Sequence, residues 1–138
     1  KQIQYLELED TVSIVGSIHE QQKQELIDSS HIHVLPTYYQ NEGQPITLIE
    51  ALSAGLPSVT TSWRGISEIV KNRETGLTVP PKDPVAIAEA IAELYSNPEL
   101  YEKMSRQGPE NAELFSVPRH VATIAAVIDE TISQETVE

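Results

Sequence analysis

Short β-branched runs alternate with helical patterns between residues 11 and 80, and this alternation limits the possible folds more than any other feature. The runs at 11–15, 31–35, 58–61 and 77–79 predict strands, because each is short and contains Val, Ile or Thr. Parallel strands need a crossover connection, which is usually a helix. The pattern therefore predicts an α/β fold, with a Rossmann-like parallel sheet and flanking helices.

Helical patterns fill the intervals between the predicted strands. Residues 20–29 predict one helix, and residues 45–54 predict another, because Ile46, Ile49 and Leu52 recur every three residues. Both intervals are long enough to carry the chain back across a sheet and start a parallel strand.

The segment after residue 80 is predicted to be all helical. Three start signals, each a polar cap residue with a proline close behind it, are Asp83 with Pro84, Asn97 with Pro98, and Ser116 with Pro118. We expect the first helix to end near residue 96, the second at Gly108 and Pro109, and the third near residue 133.

Composition and charge exclude several classes of function. The length of 138 residues suits one domain. The net charge of -12 argues against broad electrostatic binding to nucleic acid or to an anionic membrane, because both need a basic face. The chain has no cysteine, which excludes disulfides and cysteine-ligated zinc. No apolar run approaches the ~20 residues that span a bilayer, and we expect a cytoplasmic protein.

The segment 36–57, PTYYQNEGQPITLIEALSAGLP, joins a predicted strand to a predicted helix through a loop. Ligands of open parallel sheets bind beyond the carboxyl ends of the strands, so this loop lies where a site is expected. The first turn of a helix leaves backbone N–H groups without partners and carries a partial positive charge. Ile46 and Thr47 are therefore predicted to donate hydrogen bonds to a phosphate.

Two carboxylates flank this predicted anion site. Glu42 precedes the helix, and Glu50 lies within it, roughly 7 Å along the axis at ~1.5 Å per residue. A carboxylate accepts two hydrogen bonds at once from vicinal hydroxyls, which both a sugar and a ribose display. Gly43 lets the backbone approach a ligand closely. The two carboxylates are therefore predicted to contact different parts of one elongated ligand.

Three segments carry a resemblance to a known family: residues 35–57, GISEIV at 65–70 and TGLTVP at 75–80. They resemble the C-terminal domain of retaining GT-B glycosyltransferases of family GT4, which carries two glutamates with seven residues between them. Residues 42–57 are especially similar to enzymes that build bacterial capsular polysaccharides and exopolysaccharides. The resemblance implies a partial donor-binding domain of an enzyme that transfers a glycosyl group with retention of configuration.

The resemblance also implies roles for the matching positions. Glu42 is the implied catalytic residue and binds hydroxyls of the donor sugar. It is helped by backbone groups of Gly43, Gln44 and Pro45. Glu50 binds the ribose of the nucleotide, and the amides of Ile46 and Thr47 hold the distal phosphate.

Two further loops are implied to border the donor. The base is expected near the loop formed by Gly16, Ser17 and Ile18. Arg64 is a candidate for neutralising phosphate charge, and the backbone around Gly65 is a candidate border of the donor site. The implied donor is a UDP- or GDP-sugar, and the acceptor is a sugar, a lipid-linked sugar or another small molecule.

No cofactor and no metal are implied. The chain contains no Asp-x-Asp motif that would bridge a metal to the diphosphate. His31 and His33 lie on one face of a predicted strand, but no third ligand follows at a suitable spacing, so structural roles are expected. Family members carry an Arg and a Lys that neutralise the diphosphate, and both would lie upstream of this chain.

Other parts of the family's fold are also expected upstream. They are an acceptor-binding domain and two strands that would separate the strand at 11–15 from the strand at 31–35. The chain is therefore expected to have unpaired strand edges and to be capable of self-association through them. The complete protein is expected to be cytoplasmic, or peripheral at the inner face of the membrane.

Other interpretations of the same residues stay open. Glu42 and Glu50 are solvated surface groups in the simplest one. Tyr38 and Tyr39 either shape their loop or stack on a base or sugar, and Trp63 either packs internally or faces the ligand. For the chain as a whole, the alternatives are a nucleotide or nucleotide-sugar binding module without catalysis, and a structural domain with a degenerate site.

Overall fold

Three parallel strands form the centre of the molecule in the computed structural model, which describes residues 1–135. They are β1 (His33–Leu35), β2 (Ser58–Thr61) and β3 (Gly76–Val79), and β2 lies between the other two. Helices connect consecutive strands, as parallel pairing requires. The predicted fold class, a parallel α/β sheet with flanking helices, is confirmed.

The α-helices within the described residues are α1 (Gln2–Tyr5), α2 (Glu20–Ser29), α3 (Ile46–Ser53), α4 (Ile66–Ile69), α5 (Pro84–Ser96), α6 (Pro98–Ala112) and α7 (Val117–Glu135). A 3-10 turn at Glu113–Phe115 joins α6 to α7. The helix predicted at 20–29 has the predicted bounds. Helix α3 begins one residue later than predicted, because Pro45 is its N-cap residue.

The strand predicted at 11–15 is wrong. These residues have no regular structure, and Ile14 is 82% exposed. A β-branched run forms a strand only where a neighbour supplies hydrogen-bonding partners for its backbone. Within residues 1–135 the sheet ends at β1, which pairs only with β2. Among the described residues, the segment 11–15 therefore has no neighbouring strand to pair with.

Two groups of buried apolar residues lie on opposite faces of the sheet. Alternation along β2 turns Val59 to one face and Thr60 to the other. The face of Val59 packs against α5 and α6, where Leu94 and Met104 are almost inaccessible. The other face packs against a cluster formed by Leu48, Leu52, Ile66, Ile69, Val70 and Ala112. Both faces are covered, which is the usual condition for a parallel sheet.

Helix α6 does not end at Gly108 and Pro109 as predicted, but continues to Ala112. A Cβ on Gly108 would lie 2.8 Å from the carbonyl oxygen of Leu52, so this glycine allows α6 to contact α3 directly. Ala112, beyond the proline, is buried. The packing of α6 on α3 outweighs the local cost of a proline inside a helix, and a prediction from local signals alone misses this.

Helix α7 carries an apolar stripe that is exposed. Val121, Ile124 and Ile128, whose spacing places them on one face of the helix, are each about half exposed (59%, 47% and 51%). The third C-terminal helix is confirmed, but its stripe does not join either core cluster.

The surroundings of His33 predict a pH dependence of stability. Its ring is partly buried, and Nδ1 lies 3.3 Å from Oγ of Ser58. Burial lowers the pKa of His33 below its ordinary value of 6.5, and this outweighs the opposing attraction of Glu50. The unfolded chain therefore binds a proton more readily than the folded chain. We expect the contribution of neutral His33 to the free energy of unfolding to have its full value above pH 6.5. This contribution should decrease as the pH falls below that value.

Urea denaturation at about pH 7.5 and about pH 5.5 measures this effect. The urea midpoint of a His33→Asn variant should fall less between these conditions than that of the wild type. A His31→Asn variant is the matched control, because His31 is exposed and should leave the wild-type dependence intact. If His33→Asn retains the full dependence, burial of His33 is not its source.

Candidate functional site

The loop at 36–45 lies at the edge of the sheet where β1 and β2 end. The carboxyl ends of neighbouring parallel strands meet at one edge, which is where such sheets bind ligands. Two bonds attach this loop to the end of β2. The Thr61 hydroxyl donates to the Thr37 carbonyl, and the Trp63 indole N–H donates to the Tyr39 carbonyl at 2.8 Å. The loop therefore has a defined position relative to the sheet.

The first turn of α3 follows this loop with no side-chain cap among the described residues. Its N-cap residue is Pro45, whose side chain has no acceptor. Helices α5 and α6 differ, because Asp83 and Asn97 accept hydrogen bonds from their first turns at 3.0 and 3.1 Å. Ile46 and Thr47, the residues predicted to bind phosphate, are exposed. The N-terminus of α3 is therefore open to an external anion.

Glu42 lines a depression of about 500 Å³ directly before this helix. Its partly buried carboxylate accepts a hydrogen bond from the Thr37 hydroxyl at 2.8 Å. The other residues that line the depression are Gly43, Gln44, Arg64, Gly65, Glu68, Ile69 and Phe115. A Cβ on Gly65 would lie 3.1 Å from the carbonyl oxygen of Gly43, so the two loops touch. Five residues selected from the sequence meet here, namely Glu42, Gly43, Gln44, Arg64 and Gly65.

Arg64 brings a positive charge to the depression. Its backbone is left-handed, with φ of 47°, which is uncommon outside glycine and is found more often at functional sites. Its guanidinium carbon lies 5.8 Å from the centre of the Trp63 ring. The depression therefore offers a carboxylate for hydroxyl groups and a guanidinium for an anion.

Glu50 lies elsewhere, in a second depression that is also lined by Gln24, Asp28, Ile49, Ser53 and Ala54. Its Oε1 accepts a hydrogen bond from Nζ of Lys23 at 2.7 Å, and Nζ also lies 3.0 Å from Glu20. The hydrogen bond to Glu50 is the largest cause, and that to Glu20 the next, of a pKa of Lys23 above its ordinary value. Glu42 and Arg64 line one depression, whereas Glu50, which pairs with Lys23, lines a separate one.

Gly16, Ser17 and Ile18 lie in the irregular segment before α2. Gly16 has φ of 68°, a left-handed conformation that suits glycine. Ile18 is partly buried, while Gly16 and Ser17 are exposed. None of the three lines the depression of Glu42 or that of Glu50. Their expected contact with a nucleotide base stays a prediction.

Sequence reasoning missed the two residues that hold the carboxylates in place. Lys23 pairs with Glu50, and Thr37 pairs with Glu42. The sequence contains a signal for Lys23, which lies four residues before Ile27 on the partly buried face of α2. A lysine on an inward face indicates a nearby acidic partner. Thr37 has no comparable signal, because its contact depends on the conformation of the loop.

Breaking the contact between Lys23 and Glu50 is expected to loosen α2. This helix has no fully buried residue, and the ion pair links it to α3. In a Lys23→Met variant we expect amide hydrogen exchange in α2 to accelerate roughly two- to fivefold, with no change in β2.

Exchange measured by mass spectrometry provides the test. Lys103→Met is the control, because Lys103 is exposed and bonds only the Arg73 carbonyl in the described contacts. An unchanged rate for α2 in Lys23→Met would show that the pair does not hold this helix.

No group of three or more His, Cys, Asp or Glu side chains in residues 1–135 is placed to hold a metal ion. Within the same range, no helix combines the length and apolar character needed to cross a bilayer.

The open start of α3 and the depression of Glu42 lie beyond the carboxyl ends of parallel strands, which is where nucleotide-binding α/β proteins hold their ligands. The sequence matches the family described as glycosyl transferases group 1 over residues 1–111. The chain therefore belongs to the glycosyl transferases group 1 family.

Similar proteins agree with this assignment. A probable sucrose-phosphate synthase of Vicia faba is 36% identical over 97 residues, which is 70% of this chain and 9% of that protein. The solved sucrose-phosphate synthase of Thermosynechococcus elongatus superimposes with a TM-score of 0.80 at 26% identity, over 96% of this chain and 33% of the other. Anabaena HepE, solved in complex with UDP-glucose, superimposes with a TM-score of 0.76 at 22% identity, over 96% and 35%. The chain thus spans between 9% and 35% of each of these proteins.

Proposed function

We propose that this chain is the donor-binding half of a glycosyltransferase that uses a nucleoside-diphosphate sugar and retains the anomeric configuration. Membership in a glycosyltransferase family supports the reaction class. The proposal places the acceptor-binding region in the part of such proteins that this chain does not span. The proposal includes family GT4 and a role in bacterial polysaccharide synthesis, which rest on the motif at 42–57.

The observation that carries the proposal is the uncapped N-terminus of α3, directly after the depression of Glu42. The diphosphate of the donor is placed at this N-terminus, where Ile46 and Thr47 are exposed residues and the helix dipole favours negative charge. This local attraction is needed because the chain as a whole carries a net charge of -12.

The roles of the two carboxylates rest on the resemblance of residues 42–50 to the glutamate motif of the GT4 family. Glu42 accepts hydrogen bonds from the donor sugar, with backbone groups of Gly43 and Gln44 beside it. Glu50, held by Lys23, accepts hydrogen bonds from the ribose. The fold shared with HepE, which holds UDP-glucose in its own structure, supports a donor of this class.

The chemical step requires charge stabilisation more than a strong base. Departure of the nucleoside diphosphate leaves negative charge on its phosphate oxygens, and preorganised donors around those oxygens lower the barrier. The N–H groups of Ile46 and Thr47 and the guanidinium of Arg64 are the donors that this chain contributes. The proposed transfer needs the acceptor region as well, so the chain alone is expected to bind the donor without turning it over.

Calorimetric titration with UDP-glucose tests this proposal. An Ile46→Pro variant removes one N–H group from the first helical turn, where proline is tolerated, and Pro45 already has the extended backbone that a following proline needs. We expect its affinity for UDP-glucose to fall roughly tenfold.

Ile46→Ala is the matched control, because it shortens a side chain that is 68% exposed and keeps the N–H group. It should bind like the wild type. Equal binding by Ile46→Pro, or no binding by the wild type at millimolar UDP-glucose, would reject the proposed donor site.

A further inference from the structure

A second concavity, which we call the aromatic cleft, adjoins the depression of Glu42. It has a volume of about 600 Å³ and is lined by Tyr38, Tyr39, Gln40, Asn41, Trp63 and Lys82. The cleft and the depression share both of their loops. Residues 38–41 and 63 line the cleft, while residues 42–44, 64 and 65 line the depression. A molecule in the cleft would therefore lie next to a sugar held by Glu42.

Aromatic side chains are concentrated in this cleft. The chain has one Trp, five Tyr and one Phe, and three of these rings line the cleft. Tyr38 is 53% exposed and Tyr39 is 61% exposed. Exposed apolar surface in a concave site marks a place where a ligand covers it.

The cleft is held in shape before any ligand binds. The Trp63 indole N–H donates to the Tyr39 carbonyl at 2.8 Å, which fixes the ring of one loop against the backbone of the other. The Thr61 hydroxyl donates to the Thr37 carbonyl and attaches the same loop to β2. A preorganised site loses less conformational entropy on binding.

These groups match a saccharide. The C–H face of a sugar ring packs on an aromatic ring, and side-chain amides such as those of Gln40 and Asn41 both donate to and accept from hydroxyls. A nucleotide base would also stack, but it would leave the amides with fewer hydroxyl partners.

The charge of the cleft is positive on a strongly acidic chain. Nζ of Lys82 lies 5.1 Å from the centre of the Tyr38 ring, and no carboxylate among residues 1–135 lines the cleft. Its sequence neighbour Asp83 accepts a hydrogen bond from the Ala86 N–H at 3.0 Å and so caps α5. Lys82 is therefore available to an anionic group of a ligand.

We propose that the aromatic cleft forms the donor-domain side of the acceptor site, facing the separate acceptor-binding region, and that it binds a saccharide carrying a carboxylate or a phosphate. This inference rests on the proposed function, because the donor sugar must occupy the adjoining depression. An acceptor hydroxyl then forms the new C–O bond to the anomeric carbon. The bond from that carbon to the diphosphate breaks, and the hydroxyl proton leaves with the diphosphate.

Trp63 gives a specific signal for the test, because it is the single tryptophan of the chain. Its fluorescence is titrated with methyl glucuronide, glucose 6-phosphate and neutral methyl glucoside. We expect saturable changes with the two anionic saccharides and roughly five- to tenfold weaker binding of the neutral one. Comparison of the first two probes distinguishes a carboxylate from a phosphate as the preferred group.

Two variants separate the ring contact from the charge. Lys82→Met should reduce the affinity for the two anionic saccharides to that for methyl glucoside. Its affinity for methyl glucoside itself should not change. Tyr39→Ala keeps the backbone carbonyl that accepts the hydrogen bond from Trp63. It should reduce the affinity for all three probes. Tyr95→Ala is the control, because Tyr95 is 89% exposed on α5, outside the cleft.

Failure of this inference is distinguishable from failure of the proposed function. No saturable change with either anionic saccharide, or wild-type affinity in both Lys82→Met and Tyr39→Ala, would overturn the inference and leave donor binding untouched. Saccharide binding in a protein that does not bind UDP-glucose would overturn the acceptor role together with the proposed function. If the proposed function and this inference are both right, Ile46→Pro should bind UDP-glucose more weakly and keep its affinity for the anionic saccharides.

Discussion

A Glu42→Gln variant is expected to bind UDP-glucose roughly tenfold more weakly than the wild type, while its affinity for UDP stays the same. Glu42 lies in the depression assigned to the donor sugar, where Thr37 orients its carboxylate. Glutamine keeps the length of the side chain and removes the charge, so hydrogen bonds from sugar hydroxyls become weaker. UDP has no sugar beyond the diphosphate and does not reach this carboxylate.

Glu50→Gln is expected to behave differently, with a loss of similar size for both UDP-glucose and UDP. Glu50 is assigned to the ribose, which both ligands contain. Isothermal titration of each ligand into each variant measures the pattern. Glu102→Gln, an exposed change on α6, controls for the altered net charge. Equal losses for both ligands in Glu42→Gln would show that Glu42 does not hold the sugar.

Gly76→Ala is expected to have the largest effect on folding, a decrease of about 3 kcal/mol in the free energy of unfolding. A Cβ at this position would lie 2.3 Å from the carbonyl oxygen of Ser58 and 2.8 Å from Cγ1 of Val70. Ser58 is its partner on the neighbouring strand, so the oxygen cannot move without disturbing the β2–β3 ladder. Val70 is itself 1% exposed and has no space to shift.

The matched control is Gly43→Ala, because a Cβ at Gly43 would meet no atom within 4 Å. Urea denaturation should give a much lower midpoint for Gly76→Ala and a midpoint near that of the wild type for Gly43→Ala. Similar midpoints for Gly76→Ala and the wild type would mean that β2 and β3 can separate enough to admit a methyl group.

The elements that local sequence signals specify were predictable. Asp83 and Asn97 cap their helices, each with a proline directly behind it, and the side chains make the bonds that these signals imply. The short strand at 58–61 also has its predicted bounds, because a β-branched run in the middle of a sheet has partners on both sides.

The failed predictions concern features that depend on distant parts of the chain. The run at 11–15 has strand composition but no neighbouring strand within the described residues. The continuation of α6 past Pro109 depends on the contact of Gly108 with Leu52, which is far away in sequence. Local propensity does not contain either piece of information.

Some features of the candidate site were predictable from local sequence, and others depend on residues far apart in the chain. The sequence locates the loop with Glu42 and the start of α3, because a strand, a loop and a helix follow each other there. The pairing of Glu50 with Lys23 joins residues 27 positions apart and was not predictable from either residue alone. The sequence identified the three aromatic residues of the cleft but did not predict the cleft itself. An ordinary packing role is an alternative for each of Tyr38, Tyr39 and Trp63.

A crystal structure of this chain with UDP-glucose tests the central claim most directly, which is that the start of α3 holds the diphosphate. The account predicts phosphate oxygens at hydrogen-bonding distance, about 2.7–3.2 Å, from the backbone nitrogens of Ile46 and Thr47. A nucleotide bound anywhere else, with those two N–H groups facing water, would contradict it.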